Sequence, residues 1–377
     1  MASIVSMAID RRQFVGLGLG ALLFGPALLR AGGGPPRLLS CRSSDQGEYF
    51  LSMLDGQGRL VSDIALPARG HGIAVNPGQH QAAVFARRPG GFVWILDLHS
   101  GEVTHRISAA PGRHYYGHGL FTADGAWLLC SENAFASGDG VIGVYDAADG
   151  YRRSGEFPSY GIGPHEIRLL NDGATLVVAN GGIRTHPDLP RIKTNLATMH
   201  SNLAYIDLAS HRLLRKYQPE SRWQQLSIRH IDLSPDNRIA VAMQFEGTPQ
   251  LLPPLIAIQQ GEQPMQMLTA PDPVQRRLHN YCGSVAFSAD GAQFAVSSPR
   301  GGVVTIWSAD GEFLGLHEQS DACGIGQSSD GRRGFLVSDG SGAMVKLDAR
   351  LAASERHSYP GCRWDNHLLT LSPRQGS

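Results

Sequence analysis

One pattern recurs along this chain and limits what it can become. A short apolar strand runs into a tight turn, and a second apolar strand follows. A loop then leads to a third strand that closes on aspartate, a polar turn and a fourth strand. The turns read Asn76-Pro77-Gly78, Ala123-Asp124-Gly125, Asn171-Asp172-Gly173, Ser234-Pro235-Asp236-Asn237, Ser288-Ala289-Asp290-Gly291 and Ser328-Ser329-Asp330-Gly331. Asp-Gly and Asn-Gly pairs flanked by apolar runs are hairpin signals, because both residue types tolerate the left-handed backbone that such turns need. The third strands are predicted at 92–97, 141–146, 203–207, 303–307 and 344–348. A four-stranded unit returning every ~40–50 residues is the mark of propeller blades.

Six complete units start near His71, His118, His165, His230, Cys282 and Cys323. Two fragments remain. Residues 364–372 read as one further first strand, and 36–67 as three strands with no first strand. Joined, they make a seventh unit. The expected fold is therefore all-β, a seven-bladed β-propeller over residues 36–373, closed by strands from both termini. Two stacked β domains are the alternative, but the even spacing and the complementary fragments favour the ring. The 46 glycines and 22 prolines suit many short strands and tight turns.

The N-terminus has a different character. Arg11-Arg12 precedes an apolar stretch, Leu17 to Leu29, and then Ala31-Gly32-Gly33-Gly34. A charged region, a short apolar region and a small-residue exit form a signal peptide, here of the twin-arginine type over residues 1–31. The stretch is short and glycine-rich for a span, so the mature form is expected to have none. The compartment this implies is the periplasm. Leu38-Leu39-Ser40-Cys41 has a faint lipobox look but lies past the apolar stretch, and reads as a strand start. The five cysteines include no C-x-x-C-H, so covalent haem is not expected. An oxidising compartment permits disulfides, and Cys282, Cys323 and Cys362 are candidates for one.

Lys+Arg and Asp+Glu both number 33, so nothing in the net charge calls for nucleic acid. No P-loop, G-x-S-x-G elbow or H-E-x-x-H stretch is present, and no nucleotide cofactor is expected.

In a meander of this kind the first strands line the central channel, and their starts share one face with the loops between strands two and three. Aligning the units on their turns puts His71, His118, Glu166 beside His165, His230, Ser284, Gly324 and His367 at the channel mouth. A single histidine there would be a capped strand end. Five in equivalent places point to a ligand, since imidazole is the commonest side chain on Zn, Cu, Fe and Ni. The metal candidates are accordingly His71, His118, His165, Glu166, His230 and His367. Carboxylate with imidazole suits iron, whereas imidazole alone suits copper better. The longest insertion, residues 181–202, lies over the same mouth. It and smaller loops supply ligand-binding candidates: Glu132, Asn133, Asn180, Arg184, His186, Gln244, Arg300, Asp365 and Asn366. Of these, Arg184, His186 and Arg300 are expected to orient an anionic partner.

Five stretches carry a family resemblance: Gly163-Pro164-His165-Glu166, Asn180-Gly181-Gly182-Ile183 with Thr185-His186-Pro187-Asp188, Ser227-Ile228-Arg229-His230, Tyr281-Cys282-Gly283-Ser284 and Trp364-Asp365-Asn366-His367. They resemble a bacterial family of exported proteins known as a domain of unknown function. The sequence departs from that pattern at Leu189-Pro190-Arg191, where a glycine is expected before the arginine. The resemblance implies a periplasmic seven-bladed propeller encoded beside imelysin-like and dihaem peroxidase-like proteins of iron uptake, which are then the expected partners. It implies a role in iron handling without a reaction. The leading expectation is a non-enzymatic accessory that binds iron or an iron complex at the histidine-lined mouth. A metal-dependent oxidoreductase is the first alternative, since nitrous oxide reductase also has a histidine-lined propeller hub. A scaffold with purely structural histidines is the second.

Overall fold

The repeat folds into short antiparallel sheets. A computed structural model describes residues 37–371 except 79, 190, 191 and 329–332. The signal reading at 1–31, and Pro190 and Arg191 of the departing stretch, lie outside the described residues. Five sheets have four strands each in simple sequence order, and a sixth has eight. In the eight-stranded sheet, the meander from Ala322–Gln327 to Ala353–Ser358 is followed by Cys362–Thr370, Leu38–Ser44, Tyr49–Leu54 and Leu60–Leu66. Its two halves meet through one parallel pair, Ile325 with His367. The C-terminal strand Cys362–Thr370 thus lies antiparallel to Leu38–Ser44. Leu38-Leu39-Ser40-Cys41 is a strand start, as its pattern suggested.

The first strands contact one another in a circle. Gly70–Val75 packs beside Arg113–Phe121, then come Pro164–Leu169, Leu226–Leu233, Ser284–Phe287, Ala322–Gln327 and Cys362–Thr370, which returns to Gly70–Val75. The fold is all-β and propeller-like, with the first strands on the axis.

The turn signals work through side chains. In three turns the hydroxyl of the first residue donates to the aspartate two places on: Thr122 to Asp124 at 2.5 Å, Ser234 to Asp236 at 2.5 Å and Ser288 to Asp290 at 2.7 Å. Asp124 and Asp290 also accept the backbone N–H of Ala126 and Ala292. The next residue takes a left-handed conformation, with φ 70° at Gly125, 69° at Gly291 and 63° at Asn237. The aspartates that end the third strands close the following turns: Asp97 accepts from His99 and Ser100, Asp207 from Ser210, and Asp348 from Arg350 and Ala352. Both signatures satisfy backbone donors where the ladder stops.

Between sheets the core is apolar. The second strand Thr175–Asn180 is buried at every position. Trp307, 1% exposed, sits in the largest core cluster with Phe287 and Phe294. Truncating it to alanine should cost about 3–5 kcal/mol. Two features depart from the expectation. A short helix, Asp272–Arg277, fills the connection before Ser284–Phe287, and the first strand Arg113–Phe121 begins well before His118. All five cysteines are buried free thiols, so the disulfide expected among Cys282, Cys323 and Cys362 is not formed. Cys41, Cys130, Cys282 and Cys362 lie in four different core clusters, and burial pushes the thiols of Cys282 and Cys362 up to about 12. No helix among the described residues is long and apolar enough to cross a membrane.

Candidate metal centre

Alternation along a strand sends only every second side chain to one face, yet neighbouring residues here serve the same centre. Bulges in the first strands resolve this. Between Gly70 and Ile73 the strand holds one residue more than its partner strand, and the extra length contains His71. The same occurs between Pro164 and Ile167, around His165 and Glu166, and between Ile228 and His230, at Arg229. Two extra residues sit between Tyr115 and Gly119, where His118 lies, and two between Trp364 and Leu368, where Asp365, Asn366 and His367 lie. A bulge bends the strand and re-aims side chains. Repeated round the ring, it turns consecutive polar residues toward the axis.

Five imidazoles converge there. His71 has ring centroids of His118, His165, His230 and His367 at 4.8, 5.9, 6.4 and 4.5 Å. His118 to His165 is 4.5 Å, His165 to His230 4.8 Å and His230 to His367 5.0 Å. The Nε2 atoms of His118 and His367 are 2.9 Å apart. Two donor groups could each hold an ion: His118, Glu166, His230 and His367, and His71, His118 and His165, with ligand atoms in each group within 4.8 Å of one another.

Carboxylates set the tautomers. Asp365 Oδ1 lies 2.5 Å from His71 Nδ1, and Oδ2 accepts from Arg69 Nε at 2.9 Å and Arg87 Nη1 at 3.3 Å. Burial raises the Asp365 carboxyl, but His71, Arg87 and Arg69 outweigh it and hold the group well below the usual range. An ionised carboxylate only accepts, so His71 carries its proton on Nδ1 and presents a bare Nε2. Glu166 Oε2 lies 3.3 Å from His230 Nδ1, while Oε1 pairs with Arg168 at 2.7 Å. Burial raises Glu166 too, and Arg168 with His230 overrides it. The Nδ1 atoms of His118 and His165 are buried without a hydrogen-bond partner. Burial, then neighbouring histidines, push His118, His165 and His367 well below the ordinary imidazole value. These imidazoles are neutral at pH 7, the form that binds metals.

The cluster separates two spaces. His118, His367 and Glu166 face an axial cavity of about 220 Å³. His71, His165 and His230 face a pocket of about 150 Å³ that also receives Gln244, Asn366 and, from the long insertion, Lys193. The structure therefore gathers all six metal candidates, with Asp365 behind His71. Other ligand-binding candidates lie elsewhere. Glu132 is buried inside its own sheet and accepts from Tyr145 at 2.7 Å and Arg153 at 2.8 Å. Asn133 donates to Thr185 O and contacts His114, and Asn180 is tied to Ser159 and Asn202. Arg184 is exposed beside Gly138, and His186 packs on Phe135. Arg300 stacks on the Tyr281 ring at 4.4 Å.

The cations that line the pocket are Arg87, Arg88, Lys193 and Arg229. Sequence reasoning passed over Arg87, Arg88 and Arg229. Arg229 precedes a ligand histidine, and strict alternation would point it away. A doubled arginine after a second strand was the other available signal.

A propeller-like all-β ring with a buried, carboxylate-braced histidine cluster at its axis defines the class of protein. The profile of a family of proteins of unknown function, DUF1513, matches residues 64–371, and the chain belongs to that family. No curated protein matches the chain. Among solved structures it is similar to hydrazine synthase of Kuenenia stuttgartiensis, with a TM-score of 0.61 and 15% identity over 91% of this chain and 99% of that one. At that identity the likeness concerns the fold alone.

Proposed function

We propose that this protein is a seven-bladed β-propeller of the periplasm that holds a metal ion, iron first, at its axial histidine cluster as an accessory to iron uptake. The blade count rests on five four-stranded sheets plus an eight-stranded sheet read as two meanders joined by a single parallel pair. Export by the twin-arginine route rests on the sequence of residues 1–31. The link to iron uptake, with imelysin-like or dihaem peroxidase-like partners, rests on the family resemblance.

The observation that carries the metal reading is the state of the imidazoles. They are crowded, with the Nδ1 atoms of His118 and His165 buried and unpaired. Packed this way without a ligand, they leave donors and lone pairs unanswered in a low-dielectric centre. An ion would use those lone pairs. His118, Glu166, His230 and His367 would supply the ligands, and carboxylate together with imidazole suits iron.

A second reading, a copper-dependent oxidoreductase, is favoured by Glu166. Both its oxygens are engaged, by Arg168 and by His230 with the Ile231 N–H, which leaves a donor set dominated by imidazole. Elemental analysis of protein purified after native export, beside a His118→Ala/His230→Ala variant, tests both. Stoichiometric iron lost in the variant supports the first reading. Stoichiometric copper, with turnover of a defined electron donor, supports the second. No metal in either sample after anaerobic loading refutes both and leaves a scaffold with structural histidines.

A further inference from the structure

The pocket above the histidine cluster is cationic beyond what its carboxylates answer. Arg87, Arg88, Lys193 and Arg229 line it with Tyr116 and Tyr281, and no carboxylate does. Two acids lie near. Asp365 is taken by His71, Arg69 and Arg87. Glu246 is taken by Lys193, and its other oxygen stays 3.8 Å from Arg229 Nη2, beyond a hydrogen bond. Two buried donors are left without a hydrogen-bond partner. Arg229 is 6% exposed and its Nε is buried with no partner. Arg88 Nη1 is likewise buried without one, and its guanidinium makes no hydrogen bond or ion pair among the described residues. Each group feels the other's charge. A buried Arg229 beside a half-buried Arg88, each short of acceptors, is costly unless an anion completes the pair.

We infer that this pocket is an anion site, taking a small carboxylate-class oxyanion between Arg88 and Arg229, on the face where His71, His165 and His230 are open to it. Guanidinium groups present N–H pairs that match the planar O–C–O of a carboxylate or carbonate, in a way an ammonium cannot. A volume of about 150 Å³ suits an anion of a few heavy atoms. Tyr116 adds a hydroxyl, positioned by Thr185 at 3.3 Å. The inference extends the metal reading to the ligand such a centre would take, but the pocket's own donors are complete without an ion.

Calorimetric titration of the full chain with oxalate at low ionic strength tests it, on chelator-treated and on metal-loaded protein. The expected result is binding to both forms, weakened about tenfold or more in Arg229→Gln and in Arg88→Gln. Arg229→Lys should recover only part of the loss, because it restores the charge without the planar fork. Arg152→Gln, a surface change outside the pocket, should bind as wild type. Thermal melts establish that each variant is folded, and the half-buried Arg88 keeps the test open if Arg229→Gln is not. Binding to the chelated form that these variants lose supports the anion site even if the metal reading fails. Binding only to the loaded form overturns the inference, because the pocket's own donors should suffice and oxalate coordinates metal ions by itself. No binding to either form, or binding that both glutamine variants leave intact, overturns the inference.

Discussion

Replacing Asp365 with asparagine tests how far one buried carboxylate organises the centre. Its side chain is 1% exposed and receives His71 Nδ1 at 2.5 Å, Arg69 Nη2 at 2.8 Å, Arg87 Nη1 at 3.3 Å and the Asn366 N–H at 2.8 Å. Removing one partner of a buried charged network costs about 3–5 kcal/mol. The two arginine side chains are 44% and 36% exposed, so they can turn to water and contribute little to that cost. The loss therefore falls on the hydrogen bond that neutral His71 gives to a charged acceptor, up to about 3 kcal/mol. For a domain of this size that is a fall in Tm of roughly 5 °C. Metal affinity should drop about 10–100-fold, because His71 loses the group that fixes its tautomer. Urea unfolding and a competitive metal titration measure the two effects. Combining Asp365→Asn with His71→Ala should show a coupling of about 1 kcal/mol or more, whereas Asp45→Asn, at an exposed pair with Arg363, should cost less than about 1 kcal/mol. A variant within about 0.5 kcal/mol of wild type that keeps its metal affinity refutes the reasoning.

Acid should destabilise the chelated protein in two windows. His118, His165 and His367 stay neutral in the fold, so below about pH 6.5 the unfolded chain binds protons that the folded one does not. Stability then falls by up to about 1.4 kcal/mol per pH unit for each such group, until the folded value is reached. The depressed Asp365 and Glu166 act lower down, where stability present above about pH 4 is lost as pH falls toward their folded values. Urea midpoints measured from pH 8 to 3 check this, and a flat profile from 7 to 5 contradicts the first window. Gly143→Ala should cost about 2–4 kcal/mol, because its Cβ would stand 1.9 Å from Glu132 Oε1 in a carboxylate held by Tyr145 and Arg153. A melt within a degree of wild type would contradict that. Thiol titration should find no reactive cysteine in the native protein and five after denaturation, and a count of three would restore a disulfide.

Much of the fold was legible because its signals are local. The Ser-x-Asp-Gly turns and strand-ending aspartates satisfy backbone groups within a few residues, so a linear reading finds them wherever they recur. The third strands at 92–97 and 303–307 fall where Phe92–Asp97 and Val303–Ser308 form. The complementary end fragments are legible for the same reason, since Cys362–Thr370 alone has no partner in its own stretch of chain. The histidines were legible as a set because the repeat puts them in register. The helix Asp272–Arg277 was missed, since six residues carry too little periodicity to register.

By itself, the sequence determined a ring of β units with histidines at one level, because turn chemistry and repeat spacing are short-range properties. Which groups meet at that level is a long-range matter that only the tertiary structure decided. Alternation cannot predict bulges, and the bulges bring Asp365 to His71, 294 residues away, and Arg229 into the mouth pocket beside Arg88. The same packing drew Glu132, Asn133 and Asn180 into hydrogen bonds of their own sheets and loops. A buried polar group goes where its partners are, and partners distant in sequence are visible only once the chain has closed.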